Sequence, residues 1–268
     1  MNWWIKNILR RLAGRNQLAD PAKIVPGAEV DAALGMGTTG KPAVEPDLKL
    51  GALVQRALAR SIPLSSRDLF SLDGQLLPCW LESDVDPVDD WVTADDYYPL
   101  YYRLFQEIAV VTKEPRMLEI GVRTGYMGVT FARAVLGHGR YLGIDPNLYL
   151  ADGLTRANAS FKLLQTHLHA FRFACLLGYS DNAGIRRKIH QKAPFDIIHI
   201  DGDHTLGGKL QDLDLARSLL TPDGFVLVDD YDHIPDVIQE AVSRALKLGW
   251  YSRFARLATR RGLGILQL

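Results

Sequence analysis

Met117-Leu-Glu-Ile-Gly-Val-Arg-Thr-Gly-Tyr126 is the stretch that decides the fold. An apolar run leads into Gly121, and a helical pattern begins near Tyr126. Gly121 allows a tight turn at the end of a strand, and Gly125 allows a ligand to approach the backbone closely. The stretch therefore predicts a strand, a ligand-binding loop and a helix, in that order.

After this stretch, short apolar segments alternate with helical patterns. The predicted strands are Arg116–Ile120, Tyr141–Ile144, Phe171–Leu177, Phe195–Ile200 and Phe225–Val228. The predicted helices between them are Tyr126–Leu136, Gly153–Leu168, Ala183–Gln191 and Leu206–Leu220. Short apolar strands joined by helices predict a parallel sheet with helices on both faces.

The C-terminal end of the chain follows a different pattern. A helix is predicted over Ile234–Leu248, followed by strands at Ser252–Ala258 and Gly262–Leu268 that only Thr-Arg-Arg joins. So short a connection requires an antiparallel hairpin, because parallel neighbours need a long crossover. The expected fold class is α/β: a doubly wound, Rossmann-like, seven-stranded and mainly parallel sheet with a C-terminal antiparallel hairpin and an N-terminal helical extension.

The part before the sheet divides into two regions. Residues 1–48 are predicted to be a basic N-terminal helix and a flexible linker, residues 49–112 a helical cap, and residues 113–268 the α/β domain. Within the cap, Trp91–Val111 is predicted to be helical. It carries an aromatic stripe that suits core packing more often than a ligand platform; the stripe consists of Tyr97, Tyr98, Tyr101, Tyr102 and Phe105.

Composition limits the location and the partners of the protein. Among 268 residues there are 31 Lys+Arg and 31 Asp+Glu, so no basic surplus suggests nucleic acid as a partner. Only two cysteines occur, which suits a cytoplasmic protein. Residues 1–15 mix apolar and basic positions, which fits peripheral membrane contact, a helix docked on this protein or on a partner, or a frayed terminus. Assembly into a homo-oligomer is left open.

The glycine loop resembles the first motif of class I S-adenosylmethionine-dependent methyltransferases, an acid-x-Gly-x-Gly-x-Gly pattern in which Arg123 here replaces the middle glycine. The resemblance implies that Glu119 orients the amino-acid part of the donor and that Asp145, at the end of the second strand, accepts the ribose hydroxyls. The donor residues that it implies are Glu119, Gly121, Thr124, Gly125, Asp145, Ser180 and Asp181, the last two beside the adenine.

Three carboxylates follow the fourth and fifth strands. In an open α/β sheet the ligand crevice lies outside the carboxyl ends of the strands, so Asp201, Asp229 and Asp230 are expected to meet there. Close carboxylates repel one another, so protons or a divalent cation must compensate their charge. Oxygen ligands favour a hard ion, Mg²⁺ or alternatively Mn²⁺.

The region Met117 to His233 resembles the bacterial metal-dependent O-methyltransferases of sugars and related natural products, the macrocin and novobiocin methyltransferase type. That resemblance implies that Asp201, Asp229 and Asp230 are metal ligands and that the acceptor is a small molecule with a hydroxyl group. The sequence departs from this type after Asp203, where His204-Thr-Leu replaces an aromatic-acid pair. His204 and Asp201 are rival candidates for the catalytic base.

Three alternative functions remain open from the sequence. The first is a metal-independent methyltransferase of the same fold, and the second is a catalytically silent fold that serves as a scaffold or partner protein. The third is a nicotinamide dehydrogenase, which also carries an acid after its second strand but usually lacks the C-terminal hairpin.

Overall fold

A computed structural model of the protein describes residues 48–59, 64–85 and 92–268. The predicted basic helix at residues 1–15 and nearly all of the predicted linker lie outside these residues. None of the described helices is long and apolar enough to cross a membrane.

The cap is mixed rather than entirely helical. It contains helices α1 (Leu48–Ala59), α2 (Ser66–Leu69) and α3 (Tyr98–Val111), a hairpin of β1 (Ser71–Leu72) and β2 (Gln75–Leu76), and a 3₁₀ turn at Glu82–Asp84. The hairpin was not predicted. It forms because Asp73 and Gly74 both take positive φ, 51° and 79°, as the tightest hairpin turns require.

Helix α3 is shorter than the predicted segment Trp91–Val111. It begins at Tyr98, and Pro99 stands in its first turn, where a missing backbone N–H costs nothing. Residues 92–97 form turns instead, and Trp91 lies outside the described residues.

The α/β domain alternates strands and helices as predicted. Its elements are β3 (Arg116–Ile120), α4 (Tyr126–Ala134), β4 (Arg140–Asp145), α5 (Gly153–Gln165), β5 (Arg172–Leu177), α6 (Ala183–His190), β6 (Phe195–Ile200), α7 (Leu206–Leu219), β7 (Leu220–Val228), α8 (Pro235–Lys247), β8 (Arg253–Leu257) and β9 (Leu263–Gln267). The largest difference is at β7, which begins at Leu220 because that residue pairs with Phe195 across an irregularity in the ladder.

The sheet has seven strands in the order β5-β4-β3-β6-β7-β9-β8. The neighbours from β5 to β7 are parallel, whereas β9 runs antiparallel to both β7 and β8. The predicted doubly wound sheet with a C-terminal antiparallel hairpin is therefore confirmed. The strand order reverses between β3 and β6, which is where ligands bind in sheets of this kind.

Each strand contributes alternate side chains to two cores. On β3, Met117 packs into the core under the cap, α4 and α5, while Leu118 and Ile120 pack into the core under α6, α7 and α8. Leu227 and Val228 of β7 divide in the same way. Helices thus cover both faces of the sheet, and the apolar strands are buried on both sides.

The aromatic stripe of α3 belongs to the first of these cores. Tyr101 and Phe105 are fully buried, and the ring of Phe105 meets Phe131 of α4 edge to face, with centroids 5.5 Å apart. The interpretation of the stripe as core packing is confirmed for these two residues. The cap and the sheet share one core. The boundary predicted at residue 112 therefore separates two sequence patterns but not two separately packed units.

A buried hydrogen bond fastens the segment after β2 to α5. The backbone N–H of Cys79 donates to Oγ of Ser160 over 2.7 Å, and both residues are inaccessible to solvent. Ser160→Ala should lower the free energy of unfolding by about 1–3 kcal/mol, because the amide of Cys79 would stay buried without an acceptor.

Urea unfolding measures this loss, with Ser218→Ala as the matched control. The Ser218 hydroxyl also bonds within its own helix, but it lies on an exposed face, so its removal should change stability by less than about 0.5 kcal/mol. Equal effects of the two substitutions would contradict the role given to Ser160.

Candidate active site

The carboxyl ends of the parallel strands open into a cavity of about 770 Å³. Most of the predicted site residues line it: Glu119, Gly121, Asp145, Ser180, Asp181, Asp201, His204, Asp229 and Asp230. Thr124 and Gly125 do not. The sheet topology therefore brings together residues that lie up to 111 positions apart in the sequence, since Glu119 and Asp230 face one cavity.

The two loop glycines have different steric roles. Gly121 has φ of +96°, and a Cβ there would lie 2.3 Å from the carbonyl oxygen of Asp201, so only glycine lets the ends of β3 and β6 approach this closely. Gly125 also has φ of +96°, but a Cβ there would meet the Cβ of Ala157 at 2.9 Å. Glycine at this position therefore lets the loop pack closely against α5. Thr124 is fully buried beside it.

Arg123 ties the glycine loop to the cap. Its guanidinium binds Asp84 through two hydrogen bonds of 2.6 and 2.8 Å, and its φ is positive, 52°. The Tyr126 hydroxyl lies 3.2 Å from the same carboxylate and accepts the backbone N–H of Leu81. Asp84 was not predicted, because the 3₁₀ turn that presents it carries no motif.

The Asp145 carboxylate accepts hydrogen bonds from two backbone N–H groups of neighbouring loops. Its Oδ2 accepts from Arg123 over 2.8 Å and its Oδ1 from Asn147 over 2.6 Å. Each carboxylate oxygen has a further lone pair, so Asp145 can still accept two hydroxyl groups on the cavity side. The backbone bonds hold the carboxylate in place before any ligand arrives.

Glu119 and His199 form the floor of the cavity. The Tyr141 hydroxyl donates to Glu119, and burial raises the pKa of this carboxyl well above its usual range. Burial lowers the pKa of His199 to about 4, so the imidazole is neutral at pH 7. Its ring nitrogens lie 3.8 Å from Glu119 and 3.9 Å from Asp229, too far for hydrogen bonds.

Ser180 and Asp181 follow β5, at the other end of the cavity. Ser180 donates its hydroxyl to Oδ1 of Asp212 on α7 over 2.5 Å, and Asp181 is exposed. Burial raises the pKa of Asp212 to about 6. Asp212 was not among the predicted residues, although it also lines the cavity. Its place on a helix instead of at a strand end explains why the strand pattern did not find it.

Asp229 turns away from the other two acids, toward the cap. Two tyrosine hydroxyls of the α3 region donate to it, Tyr97 to Oδ2 and Tyr101 to Oδ1, the latter over 3.0 Å. Burial, followed by repulsion from Asp201 and Asp230, raises the pKa of Asp229 to about 7. Both of its oxygens therefore already have donors from the protein.

Asp230 is held by Arg261, a residue that the sequence analysis did not select. The guanidinium binds both carboxylate oxygens, Nε to Oδ1 and the terminal nitrogen to Oδ2 over 2.8 Å. A topological signal was available, since β9 runs antiparallel beside β7. In that arrangement the residues just before β9 must lie next to those just after β7.

His204 stands between the two remaining carboxylates. Its Nε2 lies 3.3 Å from Oδ1 of Asp201 and 3.7 Å from Oδ2 of Asp230. Burial alone would raise the pKa of Asp201, but the hydrogen bond with His204 and the positive charge of Lys209 lower it to about 2. Asp201 is therefore ionised at pH 7, and it can orient the imidazole.

The structure does not assemble the predicted metal ligands as one set. Among the described residues, the group whose donor atoms lie within 4.8 Å of one another is Asp201, His204 and Asp230. Asp229 is outside that group because its oxygens face the tyrosines, and Asp230 is inside it but already carries Arg261. Two of the three predicted ligands thus already have protein partners, so the residues fit a divalent ion poorly.

Comparisons with known proteins agree with the fold. The family described as "Methyltransferase domain" matches residues 118–231, which contain the glycine loop and all the candidate acids. Among curated protein sequences none matches significantly.

Two solved structures resemble the chain at low identity. CalS11, a calicheamicin methyltransferase, is 15% identical with a TM-score of 0.51, over 63% of this chain and 77% of its own. The O-methyltransferase TomG from Streptomyces achromogenes, involved in tomaymycin synthesis, is 20% identical with a TM-score of 0.49, over 63% and 79%. At such identities the similarity to CalS11 shows the fold alone.

The matched segment begins inside β3 and ends just after β7, so it covers the glycine loop and the acids of the cavity. This part of the chain is therefore similar to a methyltransferase domain.

Proposed function

We propose that the protein transfers the methyl group of S-adenosylmethionine to a hydroxyl group of a small-molecule acceptor. The observation that carries this proposal is the order of the side chains along the strand ends. From β5 to β6 the cavity presents Ser180, Asp145, Glu119 and then Asp201 with His204. Four neighbouring strands about 4.8 Å apart span roughly 14 Å, a length that suits an extended nucleoside with an amino-acid tail.

Each part of the donor would meet a matching group in this order. The adenine lies beside Ser180 and Asp212, the ribose hydroxyls donate to Asp145, and the amino-acid part lies against Gly121 and Glu119. The sulfonium methyl then points toward β6 and β7. Carboxylates near that end favour a cationic sulfonium by simple Coulomb attraction.

His204 is the proposed base. The acceptor oxygen attacks the methyl carbon, the carbon–sulfur bond breaks, and its electron pair stays on sulfur, which gives neutral S-adenosylhomocysteine. The hydroxyl proton goes to the imidazole of His204, while Asp201, 3.3 Å from Nε2, stabilises the imidazolium that results. A Mg²⁺ or Mn²⁺ ion is the rival means of activating the hydroxyl, and this reaction needs no step through one.

The acceptor would lie under the cap. Tyr97 and Tyr98 line the cavity beside the acids, and Met127 adds an apolar surface. Aromatic rings with apolar faces beside carboxylates suit a sugar or another hydroxylated natural product. The motif resemblance to the O-methyltransferases of such compounds supports the same class.

The donor assignment predicts an effect of Asp145→Ala. S-adenosylmethionine and S-adenosylhomocysteine should raise the melting temperature of the protein, because any ligand of the native state stabilises it. Removing the ribose acceptor should weaken binding at least tenfold, or about 1.4 kcal/mol. Calorimetry measures both affinities.

Asp152→Ala is the matched control, because Asp152 ends the loop that follows Asp145, is exposed, and pairs with Arg156 on the surface. It should bind the donor like the unaltered protein. Tight binding of NAD with no response to either sulfur compound would overturn the donor assignment.

The base assignment predicts that His204→Ala lowers the turnover number about 10²–10⁴-fold and leaves donor affinity nearly unchanged. An acceptor is first found by screening hydroxylated sugars and phenols for release of S-adenosylhomocysteine. The exposed His190, at the end of α6, serves as the control in His190→Ala. An unchanged rate in His204→Ala would remove His204 as the base, and turnover of amines alone would contradict the hydroxyl acceptor.

A further inference from the structure

The acids at the ends of β6 and β7 need a balancing charge. Asp229 and Asp230 are each 1% exposed, and buried carboxylates close to one another cannot all be ionised without compensation. A divalent ion is one way to supply the charge. The described residues supply it in another way.

Arg261 compensates Asp230 directly. The guanidinium forms two parallel hydrogen bonds to the carboxylate, the geometry in which arginine binds carboxylates most strongly. Four-fifths of the Arg261 side chain is buried, since its exposed fraction is 21%. The guanidinium is bonded to both oxygens that a metal ion would need, and its positive charge repels a cation placed beside it.

The hairpin fixes Arg261 in this position. The backbone N–H groups of Tyr231 and Asp232 donate to the carbonyl oxygens of Gly262 and Arg261 over 3.1 and 3.0 Å. Gly262 has φ of +75°, and a Cβ there would clash with the side chain of Asp232, so the loop closes tightly against the end of β7. Backbone hydrogen bonds therefore hold Arg261 at the carboxyl end of β7.

The cap stabilises Asp229 by hydrogen bonds instead of by charge. Tyr97 and Tyr101 each donate a hydroxyl to one of its oxygens, and their rings pack edge to face with centroids 5.7 Å apart. Both tyrosines are buried in the core shared by cap and sheet. Moving Asp229 onto a metal would break two buried hydrogen bonds.

We infer that Arg261 takes the place of the divalent cation in this site, so that the protein binds no catalytic metal and Arg261 is the positioning residue that neutralises and orients Asp230. This inference deepens the proposed function and rests on it, because a metal can be called catalytic only if the protein transfers methyl groups. Its test measures metal binding, so it can fail while the donor site and methyl transfer stand, and the reverse also holds.

The test is a titration of the full-length protein with Mn²⁺. Calorimetry and the electron paramagnetic resonance signal of free Mn²⁺ measure the binding. The unaltered protein should bind no Mn²⁺ at millimolar concentrations. Arg261→Gln should create a site with one Mn²⁺ per chain, because Asp230 then joins Asp201 and His204 with its oxygens unoccupied. The double variant Arg261→Gln/Asp230→Asn should lose that site again.

Two further variants control for folding and for charge. Arg260→Gln removes the neighbouring arginine of the same turn, which pairs with the exposed Asp96 at 3.8 Å, and should bind no Mn²⁺. Arg261→Lys keeps a cation beside Asp230 and should also bind no Mn²⁺. Its melting temperature should be closer to that of the unaltered protein than the melting temperature of Arg261→Gln is. Stoichiometric Mn²⁺ binding by the unaltered protein would overturn the inference. So would the absence of a site in Arg261→Gln when that variant melts cooperatively.

Discussion

The alignment of the strand ends is the constraint on which the rest of the structure depends. Backbone hydrogen bonds continue past the strands, from Gly121 to Ile144, from Asp201 to Ile120 and from Asp229 to Ile200, over 2.8–3.2 Å. Because these bonds hold the first loop residues level, the side chains that follow β3, β4, β6 and β7 face one cavity. The same alignment brings the ends of β3 and β6 so close together at Gly121 that no side chain fits there.

Two elements outside the parallel strands complete the cavity. The cap supplies the tyrosines that bind Asp229 and, through Asp84, the partner of Arg123. The C-terminal hairpin supplies Arg261. A buried charge in the cavity thus has a partner from another part of the chain, and breaking such a buried pair by removing one partner typically costs 3–5 kcal/mol. Folding of the cap and of the hairpin is therefore coupled to the electrostatics of the site.

The sequence was sufficient for the sheet and for the strand-end residues, because apolar runs and turn glycines act locally. Asp145 and Asp201 could be placed from that pattern alone. The partners of the acids could not, since they depend on how the cap packs and on the register of β9 against β7. The predicted metal ligands Asp201, Asp229 and Asp230 do not form one cluster in the structure for this reason. Chain topology brings the three backbones together, but Tyr101 and Arg261 decide where two of the carboxylates point.

The central claim is that one donor molecule lies along the strand ends with its methyl group toward β6. A crystal structure of the protein with S-adenosylhomocysteine tests it most directly. We expect the adenine beside Ser180 and Asp212, both ribose hydroxyls on Asp145, and the sulfur facing Asp201 and His204. A product bound in the opposite direction, with its adenine at Asp201, or bound outside this cavity, would contradict the account.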